Sequence, residues 1–289
     1  PLYSSAASDV YKRQESCSVV FDYLIGKEVN QSPTHSPGRK VINFFDWSEE
    51  KAKKFKRAYE FIVENVKPDR EKGKDKGARE KWWRYLRPRP ELFHLIGQGH
   101  NFEKHPKAGD RSQQPLSQVI VFARAATKYP CFAFVRSDSV FSDSLCVIAS
   151  QSYSLFCCLS SDIHAIWAWE YCSTLHERMR YTHGDIFETF PFPAGVLNDS
   201  HEHLSDLGKL FFEQRGKYMK AHEKGMTKFY NDLHDQELQC EEILDLRQMQ
   251  VAINNAVLDA HGLNDIDLEH GFHDVAYLPE GKNTRFTIS

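Results

Sequence analysis

The chain of 289 residues is 41% hydrophobic and 13% aromatic, the composition of a globular protein with a substantial core and room for two domains. A net charge of −3 excludes a uniformly basic nucleic-acid binder. No apolar run approaches the roughly 18 residues that a membrane helix needs, and no signal peptide is visible.

Seven scattered cysteines without a Cys-x-x-Cys argue against a disulfide framework and for a reducing, cytoplasmic setting. The charge is unevenly spread. Residues 1–193 carry 28 Lys+Arg against 23 Asp+Glu, whereas residues 194–289 carry 9 against 17. A DNA-facing first part and an acidic second part facing elsewhere would give this split, and so would chance in a two-domain protein.

The opening PLYSSAASDVYKRQ resembles translated adaptor or vector sequence, with Pro rather than Met at position 1. The chain therefore reads as a truncated open reading frame, and residues 1–14 are set aside from fold reasoning. Residues 32–38 form a turn-rich loop. Lys40–Phe45 follows as a short strand, with Val41, Asn43 and Phe45 on one side. Asp46 and Glu49 have capping-box spacing, and Ala52, Phe55, Tyr59, Ile62, Val63 and Val66 make the stripe of one helix that Pro68 ends.

Residues 67–89 are the richest in cations. Ten Lys and Arg face four acids there, with Trp82, Trp83 and Tyr85 interleaved. Lys72, Lys74, Lys76, Arg79, Lys81 and Arg84 are candidates for phosphate contact; a solvated helix face is the plainer reading of the same charges. The tryptophans either stack on bases or pin the segment to a core. Gly97-Gln98-Gly99 lacks the third glycine of a nucleotide loop and reads as a surface turn.

Three strand-like runs follow, Val119–Arg124, Cys131–Arg136 and Ser139–Ala149, implying a small antiparallel or mixed sheet. Arg124 and Arg136 close two of them, and Asp138 and Asp143 lie near the tips. An arginine there can donate to guanine and a carboxylate can accept from cytosine, although ordinary turn chemistry also explains such residues. From Ser154 an amphipathic helix presents Leu155, Leu159, Ile163, Ile166 and Trp167. A charged loop over 173–182 then runs to Phe-Pro-Phe-Pro at 190–193, where the prolines stop regular structure and the aromatics anchor the loop. Two more helices are expected over 200–222 and 236–261, joined by a loop at Lys228, Tyr230 and Asn231, with Gly262 just past the second. The tail from 263 shows no periodicity.

The run from Trp167 through Tyr171, Ser173-Thr174-Leu175, Arg178, Arg180-Tyr181-Thr182 and Asp185 to Phe187-Glu188-Thr189-Phe190-Pro191-Phe192-Pro193 resembles the C-terminal part of MmeI-like restriction–modification proteins and their DNA adenine-methylase relatives. SPTHSPGRKVINFFDW at 32–47 and GMTKFYNDLHD at 225–235 resemble the same family in the same order. The resemblance implies an α+β target recognition domain over 15–193, a small mixed or antiparallel sheet with flanking helices, then a C-terminal helical hairpin or bundle over 194–289. It implies double-stranded DNA as partner, with base-reading side chains in or near the 173–182 loop. Glu177, Arg178 and Arg180 join Arg124, Arg136 and Asp143 as candidates. The methyltransferase domain with its S-adenosylmethionine, and any nuclease domain, would lie upstream.

The residues themselves show no catalytic set. No Pro-Pro pair occurs to hold a flipped base, and no convincing glycine-rich strand–turn–helix, nuclease triplet, Walker loop or zinc spacing is present. The expectation is a DNA-recognition portion of a site-specific adenine-N6 methyltransferase, with neither cofactor nor metal in this chain. The alternative is a protein-interaction or scaffold fragment without nucleic-acid binding.

Overall fold

The structure is a computed structural model that describes residues 18–104, 115–124, 128–175 and 178–289. Its elements in chain order begin with β1 (Val20–Leu24), α1 (Gly26–Gln31), β2 (Arg39–Ile42), α2 (Glu49–Lys53) and α3 (Lys56–Asn65). Next come α4 (Lys67–Lys72), α5 (Lys76–Glu80), α6 (Pro90–Leu95), β3 (Gln118–Ala123), β4 (Ala133–Arg136), β5 (Val140–Phe141) and β6 (Leu145–Ile148). Then follow α7 (Tyr153–Leu159), α8 (Asp162–Tyr171), β7 (Ser173–Leu175), β8 (Arg178–Arg180), α9 (Glu202–Ala221), α10 (Met226–Leu233), α11 (Glu241–Ala260), β9 (Gly271–Asp274) and β10 (Thr284–Thr287). The fold class is α+β, as expected. Backbone contacts group the chain into two interleaved units, a smaller one (up to Leu24, 37–119 and 136–142) and a larger one (25–36, 120–135 and 143–289). Residues 143–193 and 194–289 thus share one unit.

The smaller unit holds the sheet β2-β1-β5. β1 runs antiparallel to β2 from Val20↔Ile42 to Tyr23↔Arg39, and parallel to β5 through Tyr23↔Val140. The strand expected to reach Phe45 stops at Ile42. Phe45 takes a positive φ of 45°, and its N–H donates to the Asn43 side chain at 2.9 Å, which turns the chain inward. Phe44, Phe45 and Trp47 are thereby buried, Phe45 against Phe102 (5.2 Å) and Trp47 stacked on Phe55 (5.4 Å).

Phe55 also explains why the single helix expected over 52–66 is two. It leaves helical backbone (φ −89°, ψ 62°) between α2 and α3. Asp46 is not the helix cap; Ser48 is, accepting from Lys51 N–H at 3.2 Å. The buried Asp46 carboxylate instead accepts the backbone N–H groups of Glu103 (2.8 Å) and Lys104 (2.7 Å).

In the larger unit the sheet order is β4-β3-β6, with β3 antiparallel to β6 from Ile120↔Ile148 to Ala123↔Leu145. The run expected as one strand over Ser139–Ala149 is therefore two strands in two sheets. The helix expected from Ser154 breaks at Ser160-Ser161, because the Ser161 side chain accepts His164 N–H (3.1 Å) and starts α8 afresh. The break rotates the later residues, and Ile166 faces solvent at 40% exposure instead of lining the core.

α7 lies against α9 through Gly208, where an added Cβ would sit 2.2 Å from the Tyr153 carbonyl oxygen. Gly208→Ala is expected to lower stability by about 1–3 kcal/mol, measured by chemical denaturation, because two packed helices must part. The loop expected at 228–231 is inside α10, whose Met226, Phe229, Tyr230 and Leu233 are buried. Arg247, 3% exposed, donates to the Leu233 and Leu238 carbonyls, both at 2.9 Å, and gathers the chain after α10. Gly262 has φ 75°, as its place after α11 requires. The aperiodic tail forms the hairpin β9–β10, paired from Gly271↔Thr287 to Asp274↔Thr284.

Candidate nucleic-acid interface

The hairpin β7–β8 replaces the loop expected at 173–182. Its strands pair from Ser173↔Arg180 to Leu175↔Arg178. Along β8 the side chains alternate, so Arg178 and Arg180 are exposed on one side and Met179 is fully buried on the other. Glu177 lies outside the described residues.

The hairpin is rooted by the residue that follows it. Tyr181, 1% exposed, sets its ring edge-on to Phe122 of β3 at 4.4 Å, and its hydroxyl meets His164 Nε2 of α8 at 3.0 Å. His164 is wholly buried and its pKa is held down to about 3 by burial, so this contact is between neutral groups. Beyond a π-helical turn at His183–Phe187, the Phe-Pro-Phe-Pro segment closes over the same histidine. Phe190 packs edge-on against His164 at 4.7 Å and against Phe192 at 4.9 Å, while His261 Nε2 lies 2.9 Å from the Pro191 carbonyl oxygen. Two exposed arginines thus project from a ribbon with a rigid, aromatic base. Tyr181 stands in the Arg-Tyr-Thr run that forms part of the family resemblance. Nothing in the sequence singled out His164, a lone histidine in an apolar helix.

Arg124 and Asp143 come together at the edge of the β3–β6 pair. Arg124 N–H donates to the Ser144 carbonyl at 2.9 Å, and both Arg124 and Asp143 are exposed. They belong to the larger unit with Arg178 and Arg180; Arg136 belongs to the smaller one. Arg136 is already occupied. Its Nε donates to Asp138 Oδ1 at 3.1 Å and its Nη2 to Asp138 Oδ2, so the fork that could grip a guanine must first exchange partners.

The cationic segment splits into α4 and α5, with Lys72, Lys74, Lys76, Arg79 and Lys81 exposed and Arg84 half-buried. Its tryptophans are core. Trp82 and Trp83 are 5% and 8% exposed, and Trp83 Nε1 donates to the Trp47 carbonyl at 3.1 Å. Arg84 lies 5.1 Å from the Trp83 ring centroid and is pinned with it. Exposed pairs such as Lys76–Glu80 at 3.7 Å are weak and yield readily to a phosphate.

The turn at Gly97–Gly99 offers no open cradle, since a Cβ on Gly99 would meet the His94 ring at 1.8 Å. Among the described residues no cluster of His, Cys, Asp and Glu could hold a metal, and no helix is long and apolar enough to cross a membrane.

No curated protein matches the chain. A solved structure that it resembles is the Type IIL restriction–modification enzyme MmeI in complex with DNA, with 16% identity and a TM-score of 0.55. That match covers 91% of this chain and 31% of the other, so the chain spans about a third of its neighbour's length. The sequence itself matches the family described as MmeI, target recognition domain, over residues 8–194, and the chain belongs to that family.

Proposed function

We propose that this chain reads DNA sequence for a site-specific adenine-N6 DNA methyltransferase of the restriction–modification kind, in a cytoplasmic setting. Membership of the target recognition family carries the reading. Methyl transfer, with S-adenosylmethionine as donor, and any cleavage would use other domains of the same enzyme. This agrees with the partial coverage of the MmeI chain.

In this reading the two sets of cations have different tasks. Exposed lysines of α4, α5 and the turn between them neutralise phosphates without reading sequence, as flexible point charges do. The β7–β8 ribbon has the dimensions a major groove admits, and its arginines present the forked donors that distinguish guanine. Arg124 and Asp143 add a donor and an acceptor at the β3–β6 edge.

The test is fluorescence anisotropy of the 289-residue chain on duplex DNA over a salt series. Lys74→Ala/Lys76→Ala is expected to weaken binding equally on all sequences and to lower the slope of log K against log salt by about 2. An unchanged slope would remove these lysines from the interface. Affinity at low salt no greater than that of a neutral control protein would favour the scaffold reading instead.

A further inference from the structure

Within the larger unit, a cleft of about 40 Å³ opens at the N-terminal end of α8. Its lining includes Lys128, Tyr129, Ser160, Asp162, His234 and Arg285. None of these was singled out for DNA contact, and the proposed function does not use them.

The groups surround one ring. Arg285 Cζ lies 5.6 Å and Lys128 Nζ 5.2 Å from the Tyr129 ring centroid, and the His234 ring stacks on the same tyrosine at 5.2 Å. Two cations thus converge where like charges repel, and Lys128 has its pKa lowered by burial first and by Arg285 second. Arg285 is only 7% exposed. Its Nη1 donates to the Thr284 carbonyl at 2.6 Å, but its buried Nη2 has no partner. A buried guanidinium N–H without an acceptor is costly, and beside a cleft it favours an anion. The sole carboxyl in the lining, Asp162, is engaged elsewhere, accepting from Asn254 Nδ2 at 2.7 Å.

Two further orphaned atoms narrow the choice. Ser160 Oγ and His234 Nδ1 are buried without partners. The His234 ring is kept neutral, with its pKa lowered to about 3 by burial first and then by neighbouring cations. As a neutral ring whose buried Nδ1 has no partner, His234 can present a lone pair there to a hydrogen of the ligand. An anion that still carries a proton meets all three unpartnered atoms, Arg285 Nη2, Ser160 Oγ and His234 Nδ1. At about 40 Å³ the cleft is small, which suits a tetrahedral oxoanion.

We propose that this cleft binds inorganic phosphate, its oxygens held by Arg285 and Lys128 and its hydroxyl donating to His234. Sulfate and a DNA phosphodiester offer the same oxygens but no proton at neutral pH, which separates the free anion from the nucleic-acid backbone.

The experiment is a thermal-unfolding titration of the 289-residue chain with sodium phosphate, against sodium sulfate and chloride at matched ionic strength. Phosphate at about ten times its Kd is expected to raise Tm by about 3–5 °C. Lys128→Ala, an exposed position that leaves the core intact, is expected to weaken phosphate binding about tenfold, and Arg285→Gln to abolish it. No phosphate-specific rise overturns the site, and so does a rise that Lys128→Ala leaves unchanged. Sulfate binding as tightly as phosphate, or displacement of phosphate by duplex DNA, overturns the choice of ligand.

Discussion

Acidifying the chain from about pH 7 to pH 4 is expected to weaken its larger unit through three buried histidines, His35, His164 and His234, while one buried acid works against them. His164 is fully buried, with its pKa lowered by burial from 6.5 to about 3. His35 is 9% exposed and lies with Nδ1 2.8 Å from the Val29 carbonyl oxygen; burial, then the charge of Arg215, lowers its pKa to about 4. Below 6.5 the unfolded chain takes up protons that these native rings refuse, so stability is lost as pH falls. Over the window from 6.5 to 4 this amounts to about 3 kcal/mol for each ring. Asp162 has the opposite sign. Burial raises its pKa from 3.8 to about 7 despite hydrogen bonds from Asn254 and Gln250. The native state therefore binds its proton more tightly than the unfolded chain does. About 3 kcal/mol is regained as pH falls through the same window. Asp162→Asn removes that compensation alone. Urea denaturation of both proteins across the window should show the variant losing about 3 kcal/mol relative to the parent at the acid end. A difference that stays constant with pH would mean that Asp162 does not titrate there.

These titrating groups were the least legible part of the sequence, because burial by distant segments makes them what they are. His164 and Asp162 look like ordinary helix residues until α11 supplies Asn254 and Phe190 closes over the imidazole. What could be read was local. Aromatics and prolines at 190–193 spoke of an anchored end, and Gly262 of a helix terminus. The cation–tryptophan interleaving of 67–89 separated correctly once burial was known, charges outward and indoles inward.

Periodicity misled wherever a single residue broke it. Phe55 left its helix to reach Trp47, and Ser161 began a new cap. A turn before Leu145 sent the two halves of one apparent strand into different sheets. Asp46 shows the same limit from the other side. Its spacing to Glu49 suits a helix cap, but the contacts it makes lie more than fifty residues away.

Replacing Arg178 or Arg180 by Ala is expected to relax sequence preference at one base pair each, by about 1–3 kcal/mol, or roughly 5–150-fold in discrimination. The proposal that this chain reads DNA motivates the test, and the ribbon gives it geometry. Residues two apart on a strand face the same way about 7 Å apart, close to two base-pair steps of about 3.4 Å. Arg178 and Arg180 should therefore affect different positions of the site. Met179 between them is fully buried, and Tyr181 holds the ribbon's base, so either arginine can be removed without disturbing its support. Unchanged thermal midpoints would verify that. Arg136 makes a weaker candidate, since its fork is filled by Asp138; Arg136→Ala should change preference less than either ribbon variant. The measurement is binding of each variant to a duplex library varied one base pair at a time, at fixed salt. If Arg178→Ala and Arg180→Ala weaken every duplex equally, the arginines hold phosphates and the bases are read elsewhere on the chain.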